Sequence, residues 1–134
     1  MKRTFLIGLL TLASPFAGRS GPGGPGGPHA VSDAQAVRAI VGEAAGETFE
    51  GKLAIACAIR NRGNLQGVYG LNATHVWRET AATWTAAWRA WRLSAQHDIT
   101  HGASYWGNRA DVATGNYRGL TQTAIIGNHH FFRK

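Results

Sequence analysis

Residues 42–62 read GEAAGETFEGKLAIACAIRNR, and this stretch decides the fold of the chain. Its second part, residues 49–62, has almost no polar side chain in its middle. A helix that is apolar on all sides is a buried helix, so we predict that these residues form the central helix of a domain. Cys57, the only cysteine, has apolar neighbours, which favours a small buried side chain over a nucleophile. No internal disulfide is possible, so packing alone must stabilise the fold.

The residues just before this stretch predict a first helix. Ser32 and Gln35 have the spacing of a capping box, which marks a helix start. Gly42 and Gly46 weaken the helix and lie on either side of Glu43, so the helix is expected to end near the acidic residues. Apolar residues recur between these limits at helical spacing: Val37, Ile40, Val41 and Ala44.

The residues after the stretch predict a loop, a third helix and a small β region. Residues 63–79 are rich in Gly and Asn, which indicates a long loop that could include a short hairpin, and loops of this length are usually functional. Thr80 caps a helix predicted over residues 81–96, in which three tryptophans form a core stripe. Residues 98–134 alternate turn residues with aromatic and β-branched ones, as short strands do. The sequence therefore predicts an α+β domain that is mostly helical.

Two segments precede this domain, which spans residues 31–134. Residues 1–17 have two basic residues, a short apolar run and then small residues, the pattern of a secretory signal. Because Pro15 lies where a small residue is preferred for cleavage, an uncleaved anchor with transient membrane contact is the alternative. Residues 18–30 form a flexible Gly/Pro-rich linker. We therefore expect a secreted or periplasmic protein of the cell envelope.

The charge of the chain is positive, with 14 Lys and Arg residues against 7 Asp and Glu, or +7. Three of the basic residues precede Val31, so the domain itself has 11 against 7, or +4. This balance favours anionic partners without identifying them: peptidoglycan, lipopolysaccharide, nucleic acid and anionic lipid all qualify. With 44% apolar and 16% charged residues, the composition is that of a folded protein and not of a disordered one.

Glu43 is the strongest candidate for a catalytic residue. On a helix it projects beside Ile40, at the edge of the apolar stripe. Partial desolvation of a carboxyl group favours its protonated form, which a general acid needs. The glycines on either side would let a substrate approach the backbone closely. The structural alternative is that the acidic residues here simply favour the start of the next helix.

Three segments carry a resemblance to a known family. In residues 42–62, Glu-Ala-Ala-Gly-Glu is followed by a short gap, Gly, an apolar helix and Asn-Arg. Residues 98–105 read DITHGASY, and residues 123–133 read TAIIGNHHFFR. In this order they resemble the Glu-Ala-Arg-Gly-Glu, Asp-x-Thr-x-Gly-Ala-x-x-Tyr and Thr-Ala-x-Ile-Gly-x-His-x-Phe-Tyr-Arg patterns of the SleB-type cell-wall hydrolase domain, the catalytic domain of spore cortex-lytic enzymes. The resemblance covers nearly all of residues 36–133.

The resemblance implies a single lysozyme-like catalytic domain with lytic transglycosylase or muramidase activity on peptidoglycan. We expect the protein to be a monomer. The family's catalytic acid maps onto Glu43. It would protonate the oxygen between N-acetylmuramic acid and N-acetylglucosamine and then, as a base, take the proton of the sugar's own 6-hydroxyl, leaving a 1,6-anhydro end. This chemistry needs no metal or other cofactor, and no second carboxylate of the kind that ordinary glycosidases use. Glu47 is therefore given a supporting role.

Further substrate-binding residues are predicted from the family segments and from aromatic side chains outside the helices. Trp77 and the Tyr105-Trp106 pair are candidates for stacking on sugar rings, because aromatic residues in loops are needed for core packing less often than those in helices. The sequence departs from the family at Ala45, where arginine is usual, and after Tyr105, where His-Asn is common and Asn108 could substitute. The complete predicted set is Glu47, Asn61, Trp77, Tyr105, Trp106, Asn108 and His129.

Two other functions fit parts of the sequence. His97, His101 and the pair His129-His130 could supply zinc ligands to a peptidase or amidase that acts on the peptide stems. The residues between the first two lack the glutamate of the metalloprotease helix motif, and Gly102 indicates a turn. Alternatively, the Trp- and Arg-rich third helix could belong to a non-enzymatic cationic binder of envelope or nucleic acid. No nucleic-acid motif is recognisable, so nucleic acid is not an expected partner.

Overall fold

A computed structural model describes residues 30–134, so the predicted signal or anchor and all but the last residue of the predicted linker lie outside the described residues. Every helix within residues 30–134 is too short or too polar to cross a membrane. The elements in chain order are α1 (Asp33–Ala44), α2 (Phe49–Arg62), a first 3₁₀ helix (Tyr69–Asn72), a second 3₁₀ helix (Thr74–Arg78), α3 (Ala81–Leu93), β1 (Tyr105–Asn108), α4 (Arg109–Ala113), β2 (Thr121–Ile126) and β3 (His129–Arg133).

Helix α1 begins where the sequence predicts. The Ser32 side chain accepts a hydrogen bond from the Gln35 backbone N–H at 3.2 Å, and its hydroxyl donates to Gln35 Oε1 at 3.1 Å. At the same end, Asp33 Oδ1 accepts a hydrogen bond of 2.7 Å from the indole N–H of Trp91 on α3. The start of α1 is therefore fixed both by its own cap and by the third helix.

Helix α2 is the central helix, as predicted from its apolar composition. Thr48 caps its start, and Gly63 ends it in the left-handed conformation (φ 74°) with its N–H bonded to the Ile59 carbonyl. Every residue from Gly51 to Ile59 is buried, including Cys57. Cys57 lies in the core, which confirms the prediction of a small, packed side chain, and this burial raises the pKa of its thiol.

Helix α3 packs against α1 and α2 and supplies the predicted tryptophan stripe. Trp91 is buried, and Trp84 and Trp88 are partly buried against the core. The Arg60 guanidinium of α2 lies 3.8 Å from the centre of the Trp91 ring and donates to the Trp91 carbonyl. The helix ends at Leu93, three residues earlier than predicted, because the chain continues as a turn.

The C-terminal region forms the predicted short strands, which pair as an antiparallel sheet in the order β1-β3-β2. Gly127, with a φ of 59°, turns the chain between β2 and β3. Two features differ from the sequence prediction: α4 was not anticipated, and residues 63–79 contain the two 3₁₀ helices and no hairpin. The capping box of Asn108 and Asp111 explains the short helix α4. The prediction of a mostly helical α+β domain is confirmed.

Candidate active site

A cleft of about 590 Å³ opens between the end of α1, the first 3₁₀ helix, strand β1 and the segment after α4. Elements from distant parts of the sequence therefore contribute to one site. Side chains and backbone from these elements form its walls: Gly42, Glu43, Arg62, Gly67, Val68, Tyr69, Gly70, Ala73, Tyr105, Trp106, Gly107, Asn108, Asp111, Asn116, Tyr117 and His129.

Glu43 lies in the last turn of α1 and is half-buried, as its predicted place at the edge of the apolar stripe requires. Its Oε1 accepts a hydrogen bond of 2.6 Å from the Gly70 backbone N–H. Its Oε2 accepts one of 3.2 Å from the indole N–H of Trp106. Two donors from two separate elements thus fix the direction of the carboxylate and stabilise its negative charge.

Gly42, next to Glu43, does not leave room for a substrate. A Cβ atom at Gly42 would lie 1.9 Å from the Gly70 carbonyl oxygen, and a Cβ at Gly70 would lie 2.6 Å from Glu43 Cγ. The first 3₁₀ helix therefore fills the space that the sequence prediction assigned to an approaching substrate. Gly46 differs, because a Cβ atom there would have no neighbouring atom within 4 Å.

His75 of the second 3₁₀ helix lies behind this segment. Its Nε2 is 3.0 Å from the Gly42 carbonyl oxygen, and its Nδ1 is 3.0 Å from Glu79 Oε1. The hydrogen bond with Glu79 raises the pKa of His75, and the bond with the Gly42 carbonyl adds to this. No pattern in the sequence indicated this link between the imidazole and the end of α1.

Glu47 lies directly behind the cleft and contacts His129. Glu47 Oε1 is 3.5 Å from His129 Nδ1, and the two side chains are only 10% and 11% exposed. The same oxygen accepts a hydrogen bond of 3.2 Å from the Asn128 backbone N–H. The structure thus brings together two predicted residues that are 82 positions apart in the sequence.

Lys52 holds the turn between α1 and α2. Its side chain is buried and donates hydrogen bonds to the carbonyl oxygens of Ala45 at 3.0 Å and Glu47 at 2.5 Å. Burial lowers the pKa of Lys52, although the negative charges of Glu47 and Glu79 oppose the effect. The turn at Ala45 is therefore held by a side chain of α2.

Tyr117 forms the wall next to Trp106. Its hydroxyl donates to the Trp106 carbonyl oxygen at 2.5 Å, and its ring stacks on Phe132 with centroids 4.7 Å apart. Burial raises the pKa of Tyr117, and the charges of Asp111 and Glu43 raise it further. The phenol therefore remains a donor that holds the backbone of β1. Gly107 is required here, because a Cβ at that position would lie 2.3 Å from the phenol oxygen.

Most of the predicted site residues meet at this cleft. Three do not line it: Glu47, which contacts the lining residue His129, and Asn61 and Trp77, which lie elsewhere. Asn61 donates to Asp98 Oδ2 at 3.0 Å and to the Ala103 carbonyl at 2.9 Å, so its amide joins α2 to the loop before β1. Trp77 is 71% exposed on the second 3₁₀ helix, with the Arg38 guanidinium 4.5 Å from its ring centre. The residues that line the cleft or lie directly behind it are Glu43, Glu47, Tyr105, Trp106, Asn108 and His129.

The sequence prediction missed several residues of the cleft. Tyr69 is 89% exposed and lines it beside Gly70. Arg62, at the end of α2, lies over the Tyr105 ring at 5.6 Å. For Tyr69, the available signal was the length of the loop of residues 63–79, which indicated a functional segment without showing which of its aromatic residues faces the site. For Arg62, it was the Asn-Arg pair that ends the first segment of the resemblance.

The predicted alternative of a zinc site depends on histidines that come close to one another. Across residues 30–134, no three His, Cys, Asp or Glu side chains are grouped so that they could hold a metal ion. His101 lies in a turn, with a φ of 54°, as Gly102 had indicated. The histidine-zinc alternative therefore has no ligand set in this part of the chain.

Comparison with known proteins supports the resemblance seen in the sequence. No family model matches the chain, and no curated protein matches it. Among solved structures, the chain is similar to the catalytic domain of the Bacillus cereus SleB protein, with 24% identity over 83% of this chain and 100% of that one and a TM-score of 0.53. It is also similar to the catalytic domain of the germination-specific lytic transglycosylase SleB from Bacillus anthracis, with 25% identity over 81% and 100% and a TM-score of 0.53. The predicted SleB-like, lysozyme-like fold is confirmed.

Proposed function

We propose that this protein is a cell-wall hydrolase that cleaves the glycan strands of peptidoglycan between N-acetylmuramic acid and N-acetylglucosamine, as a lytic transglycosylase with Glu43 as its one catalytic carboxylate. The observation that carries the proposal is the Glu43 carboxylate, oriented by two donors at an open cleft. The fold that holds it is similar to a domain described as that of a lytic transglycosylase. That likeness supports an enzyme of the same class.

The proposed reaction begins with protonated Glu43, which gives its proton to the glycosidic oxygen as the bond from that oxygen to C1 of muramic acid breaks. The 6-hydroxyl oxygen of the same sugar then bonds to C1, and its proton passes to the Glu43 carboxylate. Atoms and charges balance, and the carboxyl group returns to its starting state. The Gly70 and Trp106 N–H groups suit the second step, since they stabilise the carboxylate that must act as the base.

The other carboxylates near the cleft support a mechanism with one acid. In the described part of the chain, Asp111 is the second carboxylate that lines the cleft, and its Oδ2 accepts the Asn108 backbone N–H at 3.0 Å in the cap of α4. Glu47 is turned toward His129 and the Asn128 backbone. Neither is arranged as the nucleophile or base that a two-carboxylate glycosidase requires.

The walls of the cleft suit a sugar polymer. Tyr69, Tyr105 and Trp106 offer aromatic surface on which sugar rings can stack, and Arg62 adds a cation beside them. Peptidoglycan carries carboxylates on its peptide stems, so a basic domain suits it electrostatically. The secretory pattern of residues 1–17 and the linker of residues 18–30 support action of a monomeric domain outside the cytoplasmic membrane.

The experiment that tests the proposal is mass spectrometry of purified peptidoglycan digested by the wild-type protein and by Glu43→Gln. We expect the wild type to release fragments with 1,6-anhydromuramic ends. The rate of glycan cleavage should be lower by roughly 10²- to 10⁴-fold in the variant. Binding to sedimented peptidoglycan should be nearly unchanged, because the substituted side chain keeps its shape. Glu50→Gln is the control, since Glu50 is an exposed carboxylate at the start of α2.

Other products would decide against parts of the proposal. Reducing ends would replace the transglycosylase by a muramidase that uses water. Free peptides with intact glycan would overturn glycan cleavage altogether. Inactivation by EDTA that added zinc reverses would favour the histidine-zinc alternative over the glutamate mechanism.

A further inference from the structure

We infer that His129 accepts a hydrogen bond from the substrate and that Glu47 is the positioning residue that makes it an acceptor. The hydrogen-bond donor would be a hydroxyl or an acetamido N–H of an amino sugar. This identity of the ligand rests on the proposed function. The pairing of Glu47 with His129 does not, because it follows from contacts within the protein.

The geometry of the His129 ring separates its two nitrogens. Nδ1 is buried without a hydrogen-bond partner, and Glu47 Oε1 lies 3.5 Å from it. The side chain as a whole keeps 11% exposure and lines the cleft. The part of the ring that the cleft can reach is therefore not Nδ1, and Nε2 is the polar atom left to face a ligand.

The charge of Glu47 determines which nitrogen carries the proton. A carboxylate accepts hydrogen bonds and donates none, so it favours the tautomer with hydrogen on Nδ1. In a neutral ring, Nε2 then has a lone pair and acts as an acceptor. Without Glu47, a hydrogen on the buried Nδ1 would have no acceptor. The tautomer with hydrogen on Nε2 would then be favoured, because that hydrogen can bond to water or to a ligand.

Two elements surround Glu47, the turn between β2 and β3 and helix α2, which indicates a built arrangement. Asn128 donates its backbone N–H to Oε1, and Lys52 holds the Glu47 carbonyl from α2. A Cβ atom at Gly127 would lie 2.3 Å from Glu47 Oε2, and one at Gly51 would lie 2.7 Å from Glu47 Cβ. Two glycines thus make the space in which the carboxylate reaches His129.

The contact between Glu47 and His129 is also longer than a good hydrogen bond. At 3.5 Å the nitrogen and the oxygen are just too far apart for a good hydrogen bond, and Nδ1 has no other partner within the described residues. A buried polar atom without a partner is unfavourable, and such bonds often tighten when substrate binds. A ligand that bonds to Nε2 would therefore be expected to strengthen the bond on the Glu47 side.

The first test needs no activity. Nitrogen-15 NMR of the imidazole of His129, on the whole chain at about pH 8 where an ordinary imidazole is neutral, reports the tautomer. We expect hydrogen on Nδ1 in the wild type and a shift of the population toward Nε2 in Glu47→Gln. Hydrogen on Nε2 in both proteins, or on both nitrogens in the wild type, would overturn the assignment of His129 as an acceptor.

The second test measures coupling in glycan cleavage. Glu47→Gln and His129→Gln should each lower kcat/KM about tenfold, which is the usual effect of losing one or two hydrogen bonds. If Glu47 acts through His129, the double variant should be no worse than His129→Gln alone. Glu50→Gln is the control for the removal of a carboxylate, and thermal unfolding of each variant controls for the fold.

The outcomes distinguish the two proposals. Losses that multiply in the double variant, or full activity of His129→Gln, would overturn the role of the pair while leaving Glu43 as the acid. A wild-type protein that cleaves no glycan would overturn the proposed function and the sugar as the ligand. The NMR result would still decide whether Glu47 sets the tautomer of His129.

Discussion

Gly42 and Gly70 are in backbone contact, so closely that a Cβ at Gly42 would lie 1.9 Å from the Gly70 carbonyl oxygen. Through this contact the first 3₁₀ helix reaches the last turn of α1, and the Gly70 N–H reaches Glu43. The proposed acid is thus held by a residue 27 positions away in the sequence. Two glycines at the contact are a steric requirement of the site.

Gly42→Ala should therefore damage both stability and activity. The added methyl group must push the first 3₁₀ helix away, and overpacking of this kind costs about 1–3 kcal/mol in the free energy of unfolding. The displaced Gly70 N–H would no longer orient Glu43, so kcat should fall about tenfold or more. Gly46→Ala is the matched control, because its methyl group meets no atom within 4 Å. Equal effects of the two substitutions on unfolding and on glycan cleavage would contradict the steric argument.

Trp106→Phe tests the second donor to Glu43. Phenylalanine keeps an aromatic surface in the cleft but lacks the indole N–H, which lies 3.2 Å from Glu43 Oε2. Because hydrogen bonds to charged groups contribute about 1.5–3 kcal/mol, we expect kcat to fall roughly 10- to 100-fold with a smaller change in KM. Trp77→Phe, outside the cleft, should leave both constants unchanged. A rise in KM alone would show that Trp106 only stacks on the sugar.

Local patterns predicted the elements well but could not place contacts between them. A helix as apolar as residues 49–62 is stable only in the interior of a protein, so both α2 and its burial could be predicted from the sequence. The approach of Gly70 to Gly42 depends on how two segments pack, which no local periodicity records. For the same reason Asn61 was predicted in the site, although its amide bonds to Asp98 and Ala103.

The sequence likewise could not show which aromatic residue of the loop lines the cleft. Trp77 and Tyr69 both lie in a polar, Gly-rich segment, so composition alone cannot rank them. The second 3₁₀ helix directs Trp77 toward Arg38, and the first leaves Tyr69 in the cleft. By contrast, Glu43, Tyr105 and His129 lie in the three segments that resemble the SleB-type pattern, and the order of these segments in the chain constrains how they meet.

Tyr69→Ala should weaken substrate binding more than chemistry. The ring is 89% exposed in the cleft, so its removal leaves the core intact while deleting a surface for stacking on a sugar. Aromatic contacts of this kind contribute about 0.5–1.5 kcal/mol, so KM should rise roughly three- to tenfold with little change in kcat. Tyr69→Trp should restore binding. Ile125→Ala, at another exposed apolar residue outside the cleft, is the control, and an equal rise in KM there would contradict a specific role for Tyr69.

Asp98→Asn should lower stability at neutral pH and make less difference in acid. Burial alone would raise the pKa of Asp98, but hydrogen bonds from Thr100, from Asn61 and from backbone N–H groups outweigh it and lower the pKa below 3.8. A carboxyl group whose pKa is lowered by folding stabilises the fold when the pH is above its ordinary pKa. This contribution is lost as the pH falls through its pKa in the folded protein. Because Asp98 is exposed and solvent screens its charge, we expect a loss of only about 0.5–1.5 kcal/mol in the free energy of unfolding at pH 7, measured by chemical denaturation. A difference between wild type and variant that grows as pH falls below about 4 would have the wrong sign.

His75→Gln should show the opposite dependence on pH. The pKa of His75 is raised above 6.5 because the imidazolium can donate to Glu79 and to the Gly42 carbonyl together. The contribution of His75 to stability is therefore complete when the pH is below the ordinary pKa of histidine. It disappears as the pH rises through the pKa of His75 in the folded protein. The free energy of unfolding in denaturant should differ between wild type and variant below about pH 6.5, the ordinary pKa of histidine, and the difference should shrink as pH rises above that value. High salt should reduce the difference because the ring is half exposed. A gap that widens with rising pH would mean that neutral His75, and not its charge, supports the end of α1 beside Glu43.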